Sequence, residues 1–186
     1  ARKSSKQSRV AAAAKHIHAA LEPSNLLDKH AWLFKGTWID ESADELEDLE
    51  NIDYEERETR IRKQRADALK EIHGQYGVAG LLDTAIRSGA SGIIGALVAE
   101  RVLDDEELLA LVTQAFQKRS ESESAARASE WLIQGALGVM PNDQKREAFL
   151  SSAITAIGPD NAARFLALAP FGEGTWSLVS SYGEEV

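Results

Sequence analysis

The chain has 186 residues, 44% of them hydrophobic and 27% charged, with a formal net charge of −9. That is enough chain to bury the core of one domain or two small ones, and its composition excludes disordered, collagen-like and membrane-spanning classes. There is no cysteine and one methionine, Met140, which excludes disulfides, thiolate metal sites, iron–sulfur clusters and a cysteine nucleophile.

The charge is unevenly placed. Residues 1–39 sum to +5, residues 40–58 to −10, residues 59–89 to +3 and residues 90–186 to −7. The basic start, Ala1 to Arg9, reads as a solvated extension. It is not a signal peptide, because Ala11–Ala14 runs straight into Lys15, His16 and His18. Overall acidity argues against a duplex-DNA surface, which needs a continuous cationic face.

Taken in order, the segments show helical spacing almost throughout. Val10, Ala13, Ala14, Ile17 and Leu21 form one apolar stripe, closed by Glu22-Pro23. Ser24 or Asn25 caps a second helix carrying Leu26, Leu27, Ala31 and Phe34, stopped by Gly36. After the acidic run Asp40 to Glu58, the longest helix is predicted over 53–76, with Ile61, Ala68, Leu69, Ile72 and Tyr76 on one side. Gly77 breaks it, and a short helix follows with Leu81, Leu82, Ala85 and Ile86, ending at Ser88-Gly89. Ser91 opens the next, striped by Ile94, Leu97 and Val98. Asp104-Asp105-Glu106-Glu107 then places carboxylates at a helix start, where the dipole favours them. The stripe behind those acids is Leu108, Leu111, Val112, Ala115 and Phe116. A further helix from about Ser120–Ser124 buries Ala128, Trp131, Leu132, Ala136 and Val139. Pro141 restarts the chain toward Phe149, Leu150 and Ile154, and Gly158-Pro159 toward Phe165 and Leu166. A last short helix holds Trp176 and Val179.

No stretch alternates with a period of two, so the fold class is all-α. The predicted domain layout is an N-terminal basic extension with helices over 1–39, an acidic loop over 40–52 and a helical-hairpin array over 53–186. Short connections imply tandem antiparallel helix hairpins, with an irregular helical bundle as the competing arrangement. The helix pairs start near residues 53, 91, 121 and 159. That spacing resembles the α-helical repeats of the HEAT and tetratricopeptide kind, an α-α superhelix. The resemblance is architectural. The tetratricopeptide consensus is absent, and Trp131-Leu132-Ile133-Gln134-Gly135 does not match it.

Residues with chemical potential have plain structural readings beside the functional ones. His16 and His18 lie two apart, on opposite sides of a helix, and cannot share an ion. His30 and His73 are isolated, so no metal site and no cofactor is expected. The acidic run lacks the glycine of a calcium loop; it reads as a loop entering a helix, able to dock a basic partner. Gly74, Gly77 and Gly80, then Gly89, Gly92 and Gly95, repeat one spacing and offer a phosphate cradle. The competing reading is helix punctuation and close helix crossing. Trp32, Phe34 and Trp38, with Trp131 and Trp176, are the candidate binding aromatics. Arg60, Arg62, Lys63 and Arg65 read as solvated surface. No catalytic triad or nucleophile elbow is present.

The expectation is a cytoplasmic protein-interaction scaffold or regulatory helical segment, part of a larger protein, without a reaction of its own. Its partner would be a protein or peptide, or another domain of the same chain, with no membrane and no nucleic acid. The competing function is a nucleotide- or phosphate-binding helical domain of a multidomain NTPase or enzyme, using the glycine pairs.

Overall fold

The computed structural model describes residues 23–36, 54–140 and 143–183. The stripe at Val10–Leu21, the acidic loop and Trp38 lie outside these residues. Among the described residues there are eight α-helices and no strand, packed against one another in a bundle.

Helix α1 (Leu26–His30) starts where the Asn25 side chain accepts a 2.8 Å hydrogen bond from the Leu27 amide, and a 3₁₀ turn (Ala31–Phe34) continues it. Helix α2 (Tyr54–Arg87) is interrupted at Gly77, whose φ of 62° and ψ of −159° leave helical space. This is the break expected at that glycine, since a left-handed φ costs a residue without a Cβ little. Helix α3 (Ser91–Arg101) follows. Helix α4 (Asp105–Lys118) opens with a capping box. The Asp104 carboxylate accepts from the Glu107 amide at 2.9 Å, and the Glu107 carboxylate accepts from the Asp104 amide. Two amide donors that a helix start would leave bare are thereby satisfied. Asp104→Ala is expected to destabilise the chain by about 1 kcal/mol, measured by urea unfolding with an unchanged denaturant slope.

Helix α5 (Glu123–Gly138) is capped by Ser122, whose hydroxyl accepts from the Ala125 amide at 3.1 Å. Helix α6 (Asp143–Ile157) ends at Gly158, φ 90°. A 3₁₀ turn (Pro159–Asn161) leads into α7 (Ala162–Leu166), and α8 (Glu173–Gly183) completes the described chain.

The packing has a simple order. Sequence neighbours touch, as α2 with α3 and α4 with α5, and so do next-but-one helices: α2 with α4, α3 with α5, α4 with α6, and α6 with α8. Most of the predicted stripe residues face inward, but Tyr76 and Trp131, expected on the buried sides of their helices, are exposed. Leu69, Ile72, Leu81, Ile94, Leu97, Leu111, Leu132, Leu137, Leu150 and Phe165 are fully buried in one continuous core. Phe116 meets Phe165 edge-on at 5.7 Å and carries the Arg119 guanidinium over its ring at 4.8 Å. Arg119 also donates to Glu130, fastening α4 to α5.

One expectation is corrected. Arg65 is not solvated: it is 5% exposed and donates to the Leu33 carbonyl at 2.9 Å and the Gly36 carbonyl at 2.8 Å. Burial pushes this guanidinium below its ordinary pKa, and the carbonyls supply the acceptors that its charge needs. Its neighbour Arg62 crosses to Glu100 on α3.

Candidate functional site

An open apolar surface lies at the C-terminal end of the described residues. Helices α7 and α8, with the Ala167–Gly172 connection, enclose a groove of about 430 Å³. Leu166 and Thr175 are buried in it, and Ala163, Ala167, Trp176 and Val179 form its exposed walls. Phe171 stands at one end, 91% exposed, and its ring lies 5.9 Å from that of Trp176, itself 59% exposed. The Thr175 hydroxyl donates to the Pro170 carbonyl at 3.0 Å, which leaves that group satisfied within the wall. Among the described residues no charged side chain lines the groove. Between Phe165 and Gly183 the sequence holds a single charge, Glu173, in a chain that is 27% charged.

Local sequence explains the shape. Pro170 lacks an amide hydrogen and does not continue a helix, and Gly172 gives no side chain to cover the wall. The chain therefore turns between α7 and α8 and leaves Phe171 projecting. Along α8, Trp176, Val179 and Tyr182 recur every three residues, one helical face, while Leu178 and the partly buried Tyr182 also pack against the core.

The remaining candidate aromatics are dispersed. Trp32 is 51% exposed on the N-terminal 3₁₀ turn, whereas Phe34 beside it is fully buried and belongs to the core. Trp131, on α5, is half exposed and edges a second, polar cleft with Ser88, Ser91, Ser122, Ser124 and Arg127. That cleft adjoins the starts of α3 and α5, but its polar groups are largely engaged. Ser91 donates to the Ala85 carbonyl at 2.8 Å, Ser122 caps α5, and Arg127 pairs with Glu123 at 2.9 Å. The structure does not bring the four described aromatics together: only Trp176 lies in the apolar groove.

The glycines divide by role. Gly74 has open space where a Cβ would sit, and Gly77 makes the α2 kink. Gly80 packs against the Tyr76 and Ile72 side chains of its own helix. Gly89 donates its amide to the Phe34 carbonyl at 3.1 Å and lies against Lys35. Gly92 and Gly95 face α5 backbone at Trp131 and Leu132. None of the six lines the apolar groove or the polar cleft. Gly135 of α5 was missed by sequence reasoning, although it lies against Gly92 and completes the crossing.

Both described histidines face carboxylates: His30 meets Glu71 at 2.8 Å and His73 meets Glu107 at 3.2 Å. These pairs tie α1 and α4 to α2. Among the described residues no group of three His, Asp or Glu side chains converges to hold an ion, and no helix is long and apolar enough to cross a membrane.

No protein-family model, curated protein or solved structure matches this chain.

Proposed function

We propose that the chain is a protein-interaction module built of stacked helix pairs, serving as a scaffold or regulatory segment, and that the α7–α8 groove is its docking surface. The observation that carries this reading is the groove itself: an uncharged wall with Phe171 and Trp176 held open to solvent. Exposed apolar patches rimmed by polar residues mark interaction sites, and aromatics supply most of the energy at such contacts. The next-but-one packing of α2 with α4, α3 with α5, α4 with α6 and α6 with α8 supports the stacked-pair reading, because these helices contact their counterparts in the adjacent pair. No converging set of acids, bases or nucleophiles in the groove competes with it.

A groove of this kind takes a helix with apolar residues at i, i+3 or i+4, and i+7. Panning a displayed peptide library on the chain is expected to enrich sequences with that spacing, and their binding is expected to fall at least tenfold against Trp176→Asp. Failure to enrich any such sequence, or equal binding to the variant, overturns the reading.

A further inference from the structure

We infer that the face formed by α2 and the α2–α3 turn is a second peptide-docking site, filled in cis by α1 and the 3₁₀ turn. A peptide of the same chemistry on another protein displaces them. The site lies apart from the α7–α8 groove, and none of its residues lines that groove. Either site can fail without the other.

The first observation is how the stretch is held. Arg65 donates to the Leu33 carbonyl at 2.9 Å and to the Gly36 carbonyl at 2.8 Å, and the Gly89 amide donates to the Phe34 carbonyl at 3.1 Å. Donors fixed on the body thus read main-chain carbonyls, as in docked peptides, where main-chain bonds give affinity and side-chain pockets give specificity. Two adjacent side chains fill the pockets, Leu33 and Phe34, 3% and 0% exposed. No residue of α1 is fully buried, and Trp32 is half exposed. A few desolvated anchors carry most of the energy in such contacts. At the rim His30 meets Glu71 at 2.8 Å and Asp28 meets Arg87 at 2.7 Å, pairs that orient a partner more than they hold it.

The second observation is Gly89. A Cβ there would lie 2.8 Å from the Lys35 carbonyl oxygen, and its one other neighbour within 4 Å is the Lys35 carbonyl carbon. This glycine therefore serves the close approach of the docked backbone and no contact within the α2–α8 stack.

The third is the receiving surface. Arg65, Glu71 and Arg87 all stand on α2, which packs against α3, α4 and α5. The face keeps its shape through helices other than its occupant. A stretch anchored by two side chains opens at lower free energy than the body, so a competing peptide gains access without global unfolding. Its partner carries two adjacent large apolar residues on one helical turn, with an acid and a base before them.

The probe is a labelled peptide of residues 23–36 added to the full chain. In the parent chain the site is filled and the peptide is expected to bind weakly. Phe34→Asp places a carboxylate at a fully buried position, so the chain's own stretch leaves, and the peptide is expected to bind at least tenfold more tightly than to the parent. Adding Gly89→Ala to that variant is expected to weaken binding at least tenfold. Adding Gly74→Ala, where the Cβ has open space, is expected to change nothing. Equal binding to the parent and to Phe34→Asp, or no effect of Gly89→Ala, overturns the inference. If Phe34→Asp loses its helical circular dichroism, hydrogen exchange on the parent decides. The Gly89 amide is then expected to exchange at least tenfold faster than those of Leu69 and Leu132. Equal rates mean that the stretch leaves only on global unfolding, and the inference fails.

Discussion

Gly95→Ala is expected to destabilise the chain by about 1–2 kcal/mol, although alanine is the better helix former. Replacing an interior helical glycine with alanine gains about 1 kcal/mol of propensity. Against that gain, a Cβ on Gly95 overlaps the Leu132 carbonyl oxygen, with the Leu132 carbonyl carbon at 2.9 Å and the Ala136 nitrogen at 3.0 Å. These are backbone atoms of α5, so no side-chain rotation relieves the clash. The helices must separate, and that loosens Ile94, Leu97, Val98, Leu132 and Ile133, all buried between or beside them. Overpacking of this kind costs roughly 1–3 kcal/mol, and occasionally more. Gly135→Ala is expected to behave alike, because its Cβ meets Gly92 backbone at 2.8 and 3.0 Å.

Gly74→Ala is the matched control. Nothing lies within 4 Å of its Cβ position, so only the propensity gain of about 0.5–1 kcal/mol remains. In thermal unfolding the two changes should move the midpoint in opposite directions, Gly95→Ala down by about 2–8 °C and Gly74→Ala up by a few degrees. A Gly95→Ala protein as stable as the parent would show that α3 and α5 do not cross at this distance.

Arg65→Met is expected to release the N-terminal segment and to cost about 3 kcal/mol, since hydrogen bonds to charged groups contribute roughly 1.5–3 kcal/mol each. Methionine keeps an unbranched apolar stem of similar reach but donates nothing, so the Leu33 and Gly36 carbonyls lose the donors they share. The segment between them holds Leu33 and Phe34, 3% and 0% exposed, in the core. Its other ties are the Gly89 amide on the Phe34 carbonyl, His30 on Glu71, and Asp28 on Arg87. The last two are at the surface, where ion pairs contribute little, so they do not replace the buried bonds. Arg65→Lys is expected to recover only part of the loss, because a single ammonium lacks the planar fork that spans two carbonyls. Trypsin cleavage at Lys29 and Lys35 measures the release directly: it should accelerate in Arg65→Met, and an unchanged rate would refute the assigned role.

Much of the helical framework was legible in the residues. The stripe Leu108, Leu111, Val112, Ala115 and Phe116 predicts the buried face of α4, and the acids before it predict its capped start. Gly77 predicts the α2 kink. These are local matters: a 3.6-residue period, a side chain able to cap, and a residue without a Cβ each act within one turn. The candidate site was less legible. Trp176 stood out as a large aromatic, but Phe171, Val179 and Tyr182 belonged to no motif, and the signal that marks them is the near absence of charge from Phe165 to Gly183. Phe34 and Trp32, neighbours in sequence, have opposite fates, because the 3₁₀ turn points one inward and the other out.

By itself, then, the sequence determined the all-α class, the order of the helices and the faces they bury, since periodicity and capping are properties of contiguous residues. The tertiary structure decided what depends on distant residues meeting. It gave Gly92, Gly95 and Gly135 their part in one tight crossing, and Arg65 its carbonyl partners on a segment about thirty positions away. Among the described residues it also leaves one end of the bundle open, because a face is covered or open only according to what packs across it.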